Sequence, residues 1–291
     1  MASLKEIKQR IRSVQNTKKI TYAMKLVSAA KLRKNQDVLI HTREYKNAMA
    51  KLINNIMQER AGANNIHPLM QAKDEVKKVR LVVIGGRRGL CGAFNSNLNR
   101  LLEATFEDLS KDKEVEILVI GKKPAEYCQH KGYKYIQDYE NLPDNMNAWP
   151  LEEIYSRNEE DFLSGKVDEV LLLFSRFNSA MSVTPSVETL LPLSVNSDDK
   201  SNINAGDILY KPSIEEVFST VVPKYAFIHL VLASLESKTS EQGSRMTAMD
   251  AATNNAGELI DTLVITHNKL RQANITNDIL DIIGGAAKDN N

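Results

Sequence analysis

The N-terminal part of the fold is decided by residues 3–27, which read SLKEIKQRIRSVQNTKKITYAMKLV. Residues that suit a buried seam first recur at steps of three, four and three, at Leu4, Ile7, Ile11 and Val14. The stripe then resumes at Ile20, Ala23, Met24 and Val27 and continues at Val38, Tyr45, Met49, Leu52 and Ile56. This period is typical of a coiled coil. Because residues 3–58 contain neither Pro nor Gly, we expect one helix of about 55 residues, about 80 Å long.

The ends of this helix carry recognisable signals. Ser3 and Glu6 fit a capping box, in which the hydroxyl and the carboxylate accept the first free N–H groups. Gly62 and Pro68 follow the periodic stretch and are expected to end it. Such a helix is too long to be buried in a small core of its own, so it needs a long partner helix.

Residues 77–205 show a different pattern, in which apolar runs at 79–84, 115–120 and 170–174 alternate with helix-like stretches near 96–110, 123–131 and 151–163. Buried strands that alternate with helices predict a mostly parallel sheet covered on both faces, in a Rossmann-like α/β domain. Residues 182–193 have the character of an extended edge strand, where Pro185 is tolerated.

The C-terminal part is helical again. Ser213 and Glu216 form a second capping box, and Pro223 is expected to kink or restart the helix. Gly284 and Gly285 are expected to stop it. Seam-like positions keep the three–four spacing at Tyr225, Ile228, Leu232 and Leu235, and then at Met246, Met249, Thr253, Ala256, Ile260, Leu263, His267, Leu270 and Asn274. We interpret His267 and Asn274 as polar residues that set the register of a coiled coil.

These patterns predict three segments: an N-terminal coiled-coil helix (1–60), the α/β domain (77–205) and a C-terminal coiled-coil helix (209–285) that pairs with the first. The terminal helices have matched lengths, so the simplest assembly is a long antiparallel coiled coil with the α/β domain attached to its side. The expected fold class is therefore α/β.

The charge of the chain is unevenly distributed. The 291 residues carry a formal net charge of +1. Residues 1–60 contain 14 Lys/Arg and 4 Asp/Glu, a local charge of +10; residues 61–208 contain 17 and 23, or −6, and residues 209–291 contain 7 and 10, or −3. Such asymmetry indicates a partner of opposite charge: nucleic acid, a membrane or an acidic protein surface. Tyr22 is the only aromatic residue among the basic residues of 5–34, which disfavours single-stranded nucleic acid, and commitment of the apolar stripe to a seam disfavours a membrane.

Other features exclude further classes. Cys91 and Cys128 are the only cysteines, too few for a disulfide scaffold or a zinc cluster. No apolar run approaches the about 20 residues that span a bilayer, and the first residues do not resemble a signal peptide. The five His residues show no ligand spacing, so no metal site is expected.

The sharpest local signal for chemistry is the loop Gly85–Gly92, which reads GGRRGLCG and lies between a strand and a helix. Phosphate-binding loops occupy that place. The Lys-Ser/Thr pair of a P-loop is absent and the dinucleotide spacing is not met, which favours a structural turn. Cys91 would be a reactive thiol if a helix N-terminus lowered its pKa, but no motif ties a His to it. A nucleotide-binding α/β enzyme that uses this loop is the alternative function.

Four segments resemble F-type ATP synthase gamma subunits: residues 18–34 (KKITYAMKLVSAAKLRK), 88–95 (RGLCGAFN), 244–249 (SRMTAM) and 268–276 (NKLRQANIT). They occur in family order, and the resemblance covers the whole chain. It implies a central rotor shaft, without bond chemistry or cofactor of its own, inside a ring of alternating alpha and beta subunits. Proton flow would turn a membrane rotor ring and the shaft with it, and the shaft would set the states of the catalytic beta sites.

The resemblance also implies site residues. Those that match the surface facing the beta subunits are Met24, Lys25, Lys31, Arg33, Lys34, Arg271 and Gln272. Asp207 and Tyr210 match the foot that meets the rotor ring and the epsilon subunit. The chain departs from the usual pattern of the family at two places. It has His267 where the family often has Tyr, and its foot segment is less aromatic and less acidic than is common in the family. The chloroplast-type insert with paired cysteines is absent, so redox control by that route is not expected.

The implied location is the cytoplasmic face of a bacterial cell membrane. The chain would be a peripheral protein there, held at the membrane only through the complex and without a nucleic-acid partner.

Overall fold

The computed structural model describes residues 3–59, 67–195 and 210–289, and it describes only the backbone of 281–289. Its main elements in chain order are α1 (Leu4–Glu59), β1 (Lys78–Ile84), α2 (Phe94–Leu109), β2 (Glu114–Ile120), α3 (Lys122–Lys131), β3 (Tyr135–Tyr139), α4 (Leu151–Leu163), β4 (Glu169–Phe177), β5 (Val183–Leu191) and α5 (Ile214–Asp289). Short 3-10 helices at Pro68–Met70 and Met146–Ala148 lie in the connections.

Both terminal helices begin at the predicted caps. The N–H of Ser3 donates to Glu6 Oε2 at 2.9 Å, and the N–H of Glu6 donates to Ser3 Oγ at 3.2 Å, which completes a capping box. At the start of α5 the N–H of Glu216 donates to Ser213 Oγ at 3.2 Å. These bonds satisfy N–H groups that have no partner within the first turn of a helix.

The helix does not restart at Pro223, and the predicted stop at Gly284 and Gly285 is wrong, because α5 continues from Ile214 to Asp289. Pro223 removes one helical N–H, but its neighbours Val222 and Ala226 are fully buried. Their packing outweighs the lost bond. A glycine inside a helix costs only about 1 kcal/mol relative to alanine and does not oblige the helix to end.

The sheet has five strands in the order β3-β2-β1-β4-β5. The three predicted apolar strands pair in parallel, with Val83 of β1 between Val119 of β2 and Leu173 of β4. The predicted edge strand is β5, which runs antiparallel to β4 and contains Pro185. The opposite edge, β3, is not evident from the sequence because only Tyr139 is buried and the strand contains no apolar run.

Helices cover both faces of this sheet, as the continuous apolar strands predict. On one face α2 and α3 contribute Leu98 and Cys128 to a core that contains Val83. On the other face α1, α4 and α5 pack together, with Ile53 of α1 and Val222 of α5 in one buried cluster. The sheet therefore holds segments of both terminal helices against a single face.

The described residues form two compact units, and α1 and α5 contribute to both. One unit, called here the helix-pair unit, comprises the residues up to Ser28 and those from Met246 onward. The other, the sheet unit, comprises Ala29 to Arg245. The division cuts across both long helices, whereas the segments predicted from the sequence follow the ends of the elements.

One stretch of α5 within Ile214–Leu280 is long and apolar enough to cross a membrane by length and composition, and 44% of it is buried inside the protein. A helix that packs along a sheet has the same composition, so this stretch is weak evidence for a membrane span. Its buried residues Val222, Ala226 and Leu230 belong to the sheet core.

The start of β1 is held by hydrogen bonds to one carboxylate, that of Asp168. Asp168, just before β4, accepts the N–H groups of Lys77 and Lys78 at 2.9 Å each and the ammonium of Lys73 at 2.5 Å. The hydrogen bond from Lys73 is the main cause that lowers the pKa of Asp168 to about 2. The carboxylate thus joins the starts of β1 and β4.

We predict that Asp168→Asn lowers the free energy of unfolding by about 2 kcal/mol at pH 7, because the bonds to a charged acceptor are weakened. The folded pKa lies below the unfolded value, so the stabilisation is present above about pH 4 and is lost as the pH falls toward 2. Urea unfolding of both proteins between pH 2 and 7 measures this. The exposed Asp112→Asn variant is the control, and a difference between wild type and Asp168→Asn that does not shrink with falling pH contradicts the prediction.

Candidate partner-binding surface

The helix-pair unit is an antiparallel coiled coil with a partly polar seam. Thr253 Oγ1 donates to Thr21 Oγ1 at 2.8 Å, and both side chains are buried. Lys25 Nζ pairs with Asp250 Oδ1 at 2.6 Å on the same pair of helices. Apolar residues also lie in the seam, and the buried ones are Ile7, Met249, Ala256 and Leu263.

The register of α1 in this seam differs from the prediction. Ile20 and Val27 were expected in the seam but are 60% and 55% exposed, and Ala23 is exposed as well. Thr21 and Ser28 are buried in their place. The physical reason is a strict heptad that starts at Ile7 and Val14 and reaches Thr21 and Ser28, and small side chains at those positions let the helices approach closely. Val38 and Tyr45, also expected in the stripe, are exposed in the sheet unit.

Large apolar side chains therefore point away from the seam of the helix-pair unit. We call this group the outer apolar set: Ile20, Tyr22, Leu26, Val27, Leu259, Val264, Ile265, Ile275, Ile279 and Leu280. Each is at least 39% exposed in the isolated chain. Ten large apolar side chains exposed on one pair of helices are more than scattered single residues would account for, and they indicate a site for another protein or a membrane. A helix that is apolar on several sides is buried on several sides in its working assembly.

The prediction that His267 and Asn274 are polar seam residues near the C-terminal end of α5 is wrong in part. His267 is half-buried, consistent with a seam position, but Asn274 is exposed. Every residue of α5 from Arg271 to Leu280 is exposed. Among the described residues, which begin at Ser3, no side chain covers this stretch. Asn274 therefore does not set the register within this chain.

The residues proposed to face beta subunits fall into two groups. Arg33, Lys34, Arg271 and Gln272 are exposed and available to a partner. Met24 is half-buried, and Lys25 is paired with Asp250 as described above. The Lys31 ammonium pairs with Asp144 of the loop before α4, so part of its charge is used within the sheet unit.

Asp144 has two ammonium partners. Its carboxylate accepts hydrogen bonds from Lys31 of α1 and, at 3.1 Å, from Lys238 of α5. The bond from Lys31 is the largest cause that holds the pKa of Asp144 well below its usual range. Neither the pairing of Lys31 nor that of Lys25 is detectable in the sequence, because the partners are more than a hundred residues away.

Of the two foot residues, Asp207 lies outside the described residues. Tyr210 is half-buried beside α5, and burial, helped by the carboxylate of Glu59, raises the pKa of its hydroxyl. Tyr210 also packs against the apolar cluster on the helical face of the sheet. Its ring therefore contributes to the sheet unit.

The glycine-rich loop Gly85–Gly92 is a structural turn, as the sequence favoured. A Cβ on Gly85 would lie 2.7 Å from Pro124, and a Cβ on Gly121 would lie 2.6 Å from the carbonyl oxygen of Gly85. The two strand-to-helix turns thus touch through glycine backbone. Cys91 is buried, which raises the pKa of its thiol and opposes the reactive thiolate considered above.

The crevice at which open α/β sheets bind ligands is occupied by α5. In such sheets the crevice lies outside the carboxyl ends of the strands where the chain order reverses, here between β1 and β4. Ser237 Oγ donates to the carbonyl of Ile84 at the end of β1 (2.6 Å), and Ser240 Oγ donates to the carbonyl of Ser175 in β4 (2.9 Å).

Two charged residues of α5 complete this contact. Glu236 accepts the N–H of Phe177 at 2.7 Å, at the end of β4. The guanidinium of Arg245 donates to the carbonyl oxygens of Arg88 and Gly89 at 3.3–3.4 Å, inside the glycine-rich loop. The crevice is thus filled by α5, and the loop is filled by the side chain of Arg245. A nucleotide site built on this loop, which is the alternative function, would lack its usual space.

Comparison with known proteins agrees with these features. A family model described as ATP synthase matches residues 3–288. The ATP synthase gamma chain of Bdellovibrio bacteriovorus is 39% identical over 295 residues, and that of Chloroherpeton thalassium is 36% identical over 299 residues. Each alignment covers 98% of this chain and 98% of the relative.

Solved structures show the same fold at lower identity. A chain from the Euglena gracilis mitochondrial ATP synthase, in the structure of its OSCP, F1 and c-ring in rotational state 3, has a TM-score of 0.63 and 17% identity, and the match covers 98% of this chain and 93% of that one. A chain from the rotor of the same synthase in rotational state 1 has a TM-score of 0.59 and covers 94% and 98%. With the motifs, the sheet and the antiparallel helix pair on one chain, the protein belongs to the ATP synthase gamma chain family.

Proposed function

We propose that this chain is the central rotor shaft of a bacterial F-type, proton-translocating ATP synthase. It would couple rotation of the membrane rotor ring to conformational change at the catalytic beta subunits, with no bond chemistry of its own. The observation that carries the proposal is the outer apolar set, because ten large apolar side chains exposed on a thin helix pair call for a surrounding protein. Family membership supplies the identity of that surrounding: a ring of alpha and beta subunits.

The surrounding ring also accounts for the charge. Residues 1–60 carry +10, and Arg33 and Lys34 remain exposed on α1. Acidic loops of the beta subunits would be the counterpart of this charge, and the same loops would meet Arg271 and Gln272 on α5. Met24, Lys25 and Lys31 would contribute from their half-buried positions, with Lys25 and Lys31 sharing their charge between a beta loop and their partners in the chain.

The mechanism follows from the asymmetry of these surfaces. A shaft whose faces differ in charge and apolar area stabilises different beta conformations as it turns, and so shifts their populations. Each decade of change in the affinity of a beta site for nucleotide needs about 1.4 kcal/mol of differential contact. A few contacts at exposed apolar and charged residues supply energies of that size.

The remaining partners are the rotor ring and the epsilon subunit, and we propose that they meet a different segment of the chain. We place the contacts with the rotor ring and the epsilon subunit near Asp207 and Tyr210, the segment between β5 and α5. We also treat residues 1–60 and 209–285 as the shaft and residues 77–205 as the domain attached to it. The protein would be peripheral on the cytoplasmic face of the cell membrane, held there through the complex.

The alternative, a nucleotide-binding enzyme, is not favoured by the comparisons or by the filled crevice. Calorimetric titration of the isolated chain with ATP and with NAD separates the two functions. The rotor proposal expects no saturable heat of binding at the glycine-rich loop.

Exchange of two exposed apolar residues tests the outer apolar set. We expect Ile20→Ser with Val27→Ser to leave the melting temperature of the isolated chain within about 2 °C of wild type, because both side chains already face water. The same variant should recover much less alpha and beta subunit when a tagged chain is co-purified from cells that express all three. The matched control is Ile7→Ser, a buried seam residue, which should lower the melting temperature of the chain itself. Recovery of as much alpha and beta subunit by the double variant as by wild type would contradict the proposal.

A second exchange tests the contact high on α5. Arg271→Ala with Gln272→Ala should leave folding of the isolated chain unchanged, since both residues are exposed. ATP synthesis by membrane vesicles that contain the complex should fall by about tenfold or more if both charge-assisted and neutral bonds to a beta loop are lost. The control is Arg100→Ala with Gln129→Ala, an equally exposed pair on the α/β domain. Equal synthesis rates in wild type and the α5 variant would exclude this contact.

A further inference from the structure

A second cleft of the sheet unit has no part in the proposed shaft surface. It has a volume of about 520 Å³ and opens between α1, the end of β4, β5 and α5. Clefts of this size are large enough for small-molecule ligands. Its charged and ionisable lining residues are Arg43, Lys46, Arg176, Glu188, His229 and Glu236.

The two carboxylates of the cleft are fully engaged. Glu236 accepts Arg43 Nε at 2.8 Å and the backbone N–H of Phe177. Glu188 accepts the Arg176 guanidinium and lies 2.8 Å from His229 Nε2. Burial alone would raise the pKa of Glu188, but the bonds from His229 and Arg176 outweigh it and lower that pKa to about 2. Glu188 is therefore ionised throughout the physiological range.

His229 adds no charge to the cleft near pH 7. It is buried, and burial is the main cause that lowers its pKa below the ordinary value, although the bond to Glu188 opposes the shift. A neutral ring that donates its Nε2–H to Glu188 fits both the burial and the short contact.

Lys46 is the cation left over. Its ammonium forms no ion pair with any residue that the structure describes, and its nearest aromatic contact is the ring of Tyr225, 5.9 Å from the Nζ atom to the centroid. Desolvation is the main cause that lowers the pKa of Lys46, and the attraction of Glu188 and Glu236 does not offset it. Three cations thus face two carboxylates that are already saturated, and the cleft carries one net positive charge.

We propose that this cleft binds a small anion with two negative charges, of the phosphate or dicarboxylate class, through Lys46. Arg43 Nη2 also donates to the carbonyl of Phe177 at 2.8 Å. Arg43 and Arg176 each have N–H groups beyond those used in these bonds and in the bonds to Glu236 and Glu188, and the remaining groups would bind the same anion. The anion would join α1, β4 and α5 at one point, because Lys46 and Arg43 come from α1 and Arg176 from β4, while Glu236 of α5 holds Arg43. Its binding would stabilise the packing of α1 and α5 on the sheet within the sheet unit.

The test uses the full chain with two probes, inorganic phosphate and malonate, at constant ionic strength. Calorimetric titration gives the affinity, and thermal unfolding gives the stabilisation that binding confers. The two probes separate the phosphate source from the dicarboxylate source. Wild type should bind at least one of them with a dissociation constant in the millimolar range or below.

The variants are Lys46→Met, Lys46→Arg and, as the matched control on an exposed part of α1, Lys5→Met. Lys46→Met should weaken binding by about tenfold or more, the effect of one lost charge-assisted bond, whereas Lys46→Arg and Lys5→Met should not. Without the anion, Lys46→Met should be at least as stable as wild type because it removes an unpaired, partly desolvated charge. The affinity of wild type should also fall as the pH rises through the pKa of Lys46, since a neutral amine cannot pair with the anion.

Two results would overturn the proposal. One is the absence of saturable binding of either probe to wild type at tens of millimolar, for which broadening of the phosphorus resonance of phosphate by the protein is an independent readout. The other is equal affinity in wild type and Lys46→Met. Neither result bears on the shaft proposal, which rests on different residues.

Discussion

The sheet unit depends on one interaction, the contact between a polar stretch of α5 and the carboxyl ends of β1 and β4. Residues Glu236 to Gln242 are all buried although every one of them is polar or charged. Burial of such groups is costly unless every one is bonded. Here Glu236, Ser237 and Ser240 bond directly to strand backbone, and Lys238 and Arg245 pair with Glu241.

That single contact explains several other features. It places α5 in the crevice where an α/β sheet would otherwise bind a ligand, so the sheet becomes a support for a helix. It brings Arg245 onto the glycine-rich loop, which turns a motif of phosphate-binding type into a docking point. It also sets Lys238 beside Asp144, which ties α5 to α1 through Lys31. The sheet unit is thus organised to hold segments of two long helices.

In the helix-pair unit, polar side chains lie in the buried seam and large apolar side chains are exposed. Its seam contains Thr21, Ser28 and Thr253, while Ile20 and Val27 face outward. In a protein that works alone, such a distribution would be unfavourable, because apolar surface in water is stabilised by burial. In a shaft enclosed by other subunits it is consistent, since small polar side chains keep the two helices close and the apolar side chains meet the enclosing ring.

Much of this architecture is predictable from the sequence. The apolar strands β1, β2 and β4 and both helix caps follow from local patterns, since apolar runs and capping residues act over a few positions, whereas β3 does not. The seam register of α1 is not correctly predicted. A pattern based on apolar residues selects Ile20 and Val27, whereas the strict seven-residue repeat from Ile7 and Val14 leads to the polar Thr21.

Features that join distant parts of the chain leave little trace in a single sequence. The pairs Lys31–Asp144 and Lys25–Asp250 and the docking of α5 on β1 depend on tertiary contacts. Pro223 is a related case, because burial of its neighbours overrides a local breaking signal.

Direct observation of rotation is the most decisive measurement for the central claim. Lys111→Cys places a thiol at an exposed position after α2, while Cys91 and Cys128 are buried and will not compete for a label. A bead attached there, on a complex whose alpha and beta subunits are fixed to glass, should turn continuously in one direction when ATP is added. ATP hydrolysis by complexes that contain the chain, with a bead that stays still, would contradict the account.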